Sequence, residues 1–180
     1  MSVMPVNSQL TREDLDALPD DGRRHELIDG AFFVTPAPGV GHQWMSAALV
    51  DALRAAATGT DLVVLYAPLD VVLGPNVVEP DIVVAPEADF AEKDLPTAPL
   101  LAAEIRSPST AWMDEVRKRR LYEEHGVAHY WLADPTAPSL TILELIDGRY
   151  IEVAHAAGDH DLVLTAPVPV NLNPAKLTRG

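Results

Sequence analysis

Hydrophobic and polar positions alternate with two different periods along the chain, and each change of period marks an element. Thr11-Arg12-Glu13-Asp14, followed by Leu15 and Leu18, predicts a short helix capped by Thr11 and ending near Pro19. The runs His25–Ile28 and Ala31–Val34 flank Asp29-Gly30, the strongest short hairpin signal. From Gly41 to about Thr58 the spacing of Trp44, Ala48 and Ala52, with Met45 and Leu49 alongside, predicts a helix that Gly59 stops.

The pattern then turns to strands: Leu62 to Tyr66, Leu69 to Leu73 and Asp81 to Ala85, punctuated by Pro68, Gly74-Pro75-Asn76 and Pro86. Their Val-rich, nearly continuous apolar runs predict burial on both faces. A polar connection from Pro86 to Pro99 leads into a strand over Leu100–Arg106. Ser107-Pro108-Ser109-Thr110 reads as turn and cap for a helix from about Ala111 to His125, stopped by Gly126. Further strands follow at Val127–Ala133, Leu140–Ile146 and Arg149–Ala154, and the tail from Asp161 reads as short extended pieces. The pentapeptide Glu-Leu-Ile-Asp-Gly occurs at both Glu26–Gly30 and Glu144–Gly148. Because the flanks differ, it predicts two similar hairpins rather than a repeat, and it gives Glu26 no distinction over Glu144. With no linker in view, the expectation is a single domain over residues 1–180, an α/β chain with a mixed sheet.

Composition narrows the class. The 180 residues are 48% hydrophobic with a mean hydropathy of +0.06, the balance of an ordinary water-soluble protein. Absence of cysteine excludes disulfides, thiolate zinc sites and cysteine nucleophiles. Met1–Leu10 has no basic start followed by an apolar run, and no stretch approaches membrane-spanning length, so a cytoplasmic, membrane-free protein is expected. A net charge of −14 argues against broad electrostatic affinity for nucleic acid. Arg106 and the run Arg117-Lys118-Arg119-Arg120 nevertheless concentrate basic residues in one stretch. That stretch is either a local positive surface or a solvated helix face balanced by Glu115, Glu123 and Glu124.

Candidate chemistry begins with Glu104, a carboxylate near the end of the apolar run Leu100–Ile105. An isolated charge in an apolar interior is strongly disfavoured, so Glu104 needs a cation, hydrogen bonds or an open cleft. Antiparallel pairing of Asp81–Ala85 with Leu100–Arg106 sets Asp81 opposite Glu104. Two such hard-oxygen acids suit Mg²⁺ or Mn²⁺, and strand alternation places Arg106 on the same face. Acids that hold a metal, with a cation beside them, are equipped for phosphoester hydrolysis. The competing reading of Glu104 is a structural ion pair with Arg106 or Arg120, and that of Asp81 is a strand opener after a proline turn. Asp70 reads as structural or as a peripheral acid. His42 lacks a partner in the sequence, Ser107 and Ser109 lack nucleophile-elbow glycines, and Trp112, Tyr130 and Trp131 read as core or edge residues.

Pro80-Asp81 followed by Glu104-Ile105-Arg106 resembles the PD-(D/E)XK nuclease superfamily, and the wider text resembles its Uma-type restriction endonuclease branch. The ordered set comprises Glu26–Gly30, Pro36-Ala37-Pro38 with His42-Gln43, Pro80–Val84, Glu104–Thr110 and Gly126–Pro135. The resemblance implies a restriction-endonuclease-like core, a central mixed sheet flanked by helices with hairpins near both ends. It further implies a Mg²⁺- or Mn²⁺-dependent endonuclease acting on DNA, a homodimer, Asp81 and Glu104 as metal ligands, and Glu26 completing the acidic site. Arg106 stands where the superfamily shows lysine, and arginine does not give up its proton. In this branch the lysine moves to the following helix, which points to Lys118, sharing a face with Asp114 and Tyr122. Two other functions remain open: an inactive nuclease-like fold serving as a binding or scaffold module, and a small-molecule phosphohydrolase.

Overall fold

The structure is a computed structural model that describes residues 9–19, 21–107 and 113–178. In chain order the first half contains α1 (Arg12–Asp16), β1 (Arg24–Ile28), β2 (Ala31–Thr35), α2 (Val40–Ala57), β3 (Leu62–Tyr66), β4 (Asp70–Leu73), β5 (Asn76–Val78), β6 (Ile82–Pro86) and β7 (Asp94–Leu95). The second half contains β8 (Leu101–Ile105), a π-helical segment Met113–Lys118 continuing into α3 (Arg119–Glu124), β9 (His129–Asp134), β10 (Ser139–Ile146), β11 (Arg149–Ala157), β12 (Leu162–Leu164), β13 (Val170–Leu172) and α4 (Pro174–Leu177).

The strands form a five-stranded sheet in the order β2-β1-β5-β4-β7, a six-stranded sheet β11-β10-β9-β8-β6-β3 and a β12-β13 pair. Both larger sheets are mixed: β4 and β7 pair in parallel, as do β8 and β9 across the helical crossover, whereas the other ladders are antiparallel. The N-terminal hairpin is therefore part of a second sheet, not a decoration of the first. The strand that joins it there, β5, lies in what the sequence presents as a proline-bounded connection. Asn76 fastens that junction, accepting from the Asp29 N–H at 2.8 Å and donating to the Leu73 carbonyl at 3.1 Å.

Alternation along the six-stranded sheet separates two cores. Ile82, Val84, Leu101, Ala103 and Ile105 face α2, whose buried stripe is Met45, Leu49, Val50, Leu53 and Ala57. Trp44 falls outside that stripe at 45% exposure, so the helix is rotated from the expected face. Val83, Ala85 and Ala102 face the other way, towards Ile28, Val71 and Val78 of the five-stranded sheet and Leu121 and Tyr122 of α3. Glu104, two residues after Ala102, points into this second layer.

Both Asp-Gly turns form as expected. Asp29 and Gly30 have φ of 52° and 73°, and Asp147 and Gly148 have 50° and 74°, the pair of positive angles that a type I′ hairpin turn requires. Thr11 closes a capping box with Asp14. Trp131 and Tyr130 are fully buried, as read from the sequence. The expected cap at Ser109-Thr110, and Trp112, lie outside the described residues.

Candidate active site

The β6–β8 register pairs Ile82 with Ala103 and Val83 with Ala102, so the next step outward sets Asp81 across from Glu104. This is the expected juxtaposition. Asp81 is 4% exposed and fully engaged: Oδ2 accepts from the Ile105 backbone N–H at 2.8 Å and lies 3.0 Å from His42 Nε2, while Oδ1 accepts from Arg24 at 3.0 Å. Burial alone would raise its pKa. The His42 hydrogen bond and charge, the Arg24 guanidinium and the Ile105 N–H outweigh burial and bring it down to about 2.

Glu104 meets a different set. Its Oε1 accepts from the Lys118 ammonium at 3.0 Å and from the Tyr122 hydroxyl at 2.8 Å. Lys118 also lies 2.8 Å from Glu26 Oε1, which accepts in turn from the Glu79 backbone N–H at 2.7 Å. The Lys118, Glu26 and Glu104 side chains are each no more than 2% exposed. Burial, with the Glu104 and Glu26 charges, pushes the Tyr122 hydroxyl well above its usual range, so it remains a proton donor. Tyr130 packs edge-on against the Tyr122 ring at 5.2 Å and fixes it. The chain of contacts thus runs from β1 through the helical crossover to β8, joining three segments remote in sequence.

Glu79 completes the wall. Its Oε2 is buried without a hydrogen bond, with the Arg24 guanidinium 3.7 Å away. Burial, opposed by Arg24 and reinforced by Asp70 and Glu26, pushes this carboxyl up to about 7. Arg24, Glu79, Asp81 and His42 open onto a cleft of about 1040 Å³, bounded also by Pro36 and Tyr66.

The structure therefore brings together Asp81, Glu104, Glu26 and Lys118, all four residues singled out in the sequence. It also supplies Arg24, His42, Glu79 and Tyr122. His42 gave one signal, its place in the ordered set of segments, but its partner Asp81 is 39 residues away and a lone histidine reveals no such pairing. Arg24 bridges 57 residues and gave none.

Other expectations change. The basic run does not make one positive face: Arg117 stacks on Phe33 at 4.5 Å, Lys118 turns inward, Arg119 donates to the Tyr150 carbonyl at 3.2 Å and Arg120 pairs with Glu124 at 2.8 Å. Arg120 therefore has a partner other than Glu104. Arg106 lies 3.9 Å from Asp134. The Asp114 side chain, the expected partner of Lys118, lies outside the described residues. Asp70 pairs with Arg12 at 3.1 Å, consistent with a structural role. The twin pentapeptides separate by burial: Glu26 is 1% exposed, whereas the Glu144 side chain is 35% exposed beside His129.

The donor set fits a hard divalent cation. Four acids, Glu26, Glu79, Asp81 and Glu104, face the permanent cations Arg24 and Lys118, with His42 as a third basic group. The four carboxyl groups outnumber the two permanent cations, and Glu79 has an unbonded oxygen. Among the described residues no three His, Asp or Glu side chains are arranged as a metal cage. A Mg²⁺ ordinarily takes one or two carboxylates and completes its shell with water and phosphate oxygens.

This mixed-sheet architecture, with two acids at facing ends of the adjacent strands β6 and β8 and a lysine from the helical segment that follows β8, is a restriction-endonuclease-like fold. It is similar to the crystal structure of a putative nuclease of the DUF820 family from Anabaena variabilis. The TM-score is 0.73 and the identity 19%, with 93% of this chain and 97% of that chain covered. Residues 12–178 match the family Uma2, described as a putative restriction endonuclease, and the chain belongs to that family. No curated protein matches the chain. Among the described residues, no helix is long and apolar enough to cross a membrane.

Proposed function

We propose that the protein is a divalent-metal-dependent endonuclease that hydrolyses DNA phosphodiester bonds. What supports this reading is the strand register that sets Asp81, on the cleft wall, across from Glu104, whose carboxylate is held by Lys118 in the interior behind it. Asp81 and Glu104 are the residues that would hold Mg²⁺ or Mn²⁺. Such a cation supplies Lewis-acid polarisation of the phosphate and a more acidic bound water.

The chain's own groups do the rest. Arg24, His42 and the Ile105 N–H keep Asp81 ionised and fixed in direction. Tyr122 orients Glu104. Lys118, suspended between Glu104 and Glu26, provides a donor and a positive charge for the attacking water or a phosphate oxygen. Glu26 is best assigned to positioning Lys118, because Oε1 is already committed to the ammonium and to the Glu79 N–H. A low-dielectric floor strengthens each of these interactions relative to water. A homodimer is part of the proposal by family resemblance.

Mn²⁺ titration by calorimetry, combined with plasmid nicking, tests the reading. Wild-type protein is expected to bind Mn²⁺ and nick DNA, and Glu104→Gln to lose both. Unchanged Mn²⁺ affinity in Glu104→Gln overturns the site assignment. A protein that binds no metal but captures a defined partner is a scaffold on the same fold.

A further inference from the structure

Resting on the nuclease reading, the next question is which form of nucleic acid the cleft accepts. Exposed apolar side chains gather at its mouth. Val34, 49% exposed, and Tyr66, 52% exposed, are among the residues that bound it, together with Pro36, Pro38 and Pro68. Val40 and Trp44, also exposed, follow on the first turns of α2 beside the lining residues His42 and Gln43. Large exposed hydrophobics concentrated around one concavity mark a binding surface.

Tyr66 has the geometry of a stacking platform. The Arg54 guanidinium lies over its ring at 5.3 Å and is itself anchored, both Nε and a terminal nitrogen donating to the Val64 carbonyl at 3.2 Å. One ring face is thereby backed by a fixed cation, and the ring as a whole remains half exposed. The next residue, Ala67, donates its N–H to the Asp81 carbonyl at 3.1 Å, which ties the platform to the acidic floor.

Charge points the same way. A protein gripping duplex DNA typically neutralises about 6–10 phosphates. Among the described residues lining this cleft, the permanently cationic side chains are Arg23 and Arg24, and both face acids: Arg23 lies 3.7 Å from Asp21, and Arg24 holds Asp81 and Glu79. With a net charge of −14, the chain has little to track two backbones. A volume of about 1040 Å³ is at the upper end of pockets that enclose a small organic group.

We infer that the cleft takes an unpaired nucleotide of a single DNA strand, its base stacked on Tyr66 and its phosphate directed towards Asp81. Recognition then comes chiefly from the π-face of the base, which every base possesses, and weakly from phosphate contacts.

Fluorescence anisotropy with Ca²⁺ in place of Mg²⁺, using a labelled oligothymidylate strand and a duplex of equal length, tests this. The strand is expected to bind at least about tenfold more tightly than the duplex, with a salt slope reporting only one or two phosphates. Tyr66→Ala should weaken strand binding about tenfold, and Tyr66→Phe should retain it. Equal or tighter duplex binding, no binding of either probe, or unchanged strand affinity in Tyr66→Ala overturns the inference. The nuclease reading stands or falls separately, on Mn²⁺ binding and the Glu104→Gln result.

Discussion

Replacing Lys118 with Met is a quantitative probe of the site, because the ammonium is the shared partner of two buried carboxylates. The wild-type contacts are 2.8 Å to Glu26 and 3.0 Å to Glu104. Methionine matches the length and fills the space, so the lost volume is small and the cost is electrostatic. Removing one partner from a buried ion pair costs about 3–5 kcal/mol, since the charge left behind is uncompensated. Against a total stability of roughly 5–15 kcal/mol, that is a large fraction. With a urea slope of ~2 kcal/mol/M, the unfolding midpoint should fall by about 2 M. Two controls separate electrostatics from packing. Glu104→Gln in the Lys118→Met background should recover part of the loss, because the two sites couple by about 0.5–3 kcal/mol. Saturating Mn²⁺ should also recover ~2–3 kcal/mol if Glu104 is a ligand, by the mass-action term for a ligand near a hundred times its Kd. A midpoint shift worth less than ~1 kcal/mol in Lys118→Met, or no recovery in the double variant, would refute the argument.

Three further outcomes follow from the same geometry. Tyr122→Phe removes one donor to the Glu104 carboxylate and should cost about 1.5–3 kcal/mol in urea unfolding, while Tyr150→Phe, which loses a bond to the Val127 carbonyl, should cost about half as much. His42→Ala removes the hydrogen bond and charge that offset burial of Asp81, so the Asp81 carboxyl should titrate above its wild-type value of about 2 in carboxyl-detected NMR. Glu79 titrates near 7 in the folded chain and near 4.5 unfolded, so the folded state keeps the proton over that interval. Stability in metal-free buffer should therefore fall as pH rises from 4.5 to 7, by about 2 kcal/mol after allowing for the group's contact with the solvent-filled cleft. Glu79→Gln should flatten that slope in urea titrations across the interval, and an unaltered slope would exclude Glu79 as its source.

Much of this arrangement is legible in the chain because it is local or follows from the two-residue period of strands. Asp-Gly between apolar runs specifies both hairpins, and antiparallel pairing carries Asp81 to Glu104 once the two strands are recognised. Four-residue spacing put Lys118 and Tyr122 on one helical face, and both reach Glu104. What escaped depends on the tertiary arrangement. β5 is three residues between prolines, too short to show a period, and it becomes a strand because β1 and β4 offer open edges on either side. Arg24, His42 and Glu79 acquire meaning only when β1, α2 and β6 meet at one end of the sheet. Glu26 and Glu144 sit in identical pentapeptides with the same turn, and their difference arises from what packs above them. Arg117 to Arg120 looks like one feature in the sequence and becomes four unrelated contacts in space.

The bridge formed by Lys118 also constrains how such a protein can change over generations. A lineage that discards the lysine first is left with two like charges in the interior and a weakened fold. A lineage that neutralises Glu104 first still leaves the ammonium its contact with Glu26. Decay of the chemistry therefore has a preferred order, acid before base. This chain retains Glu26, Glu104 and Lys118 together.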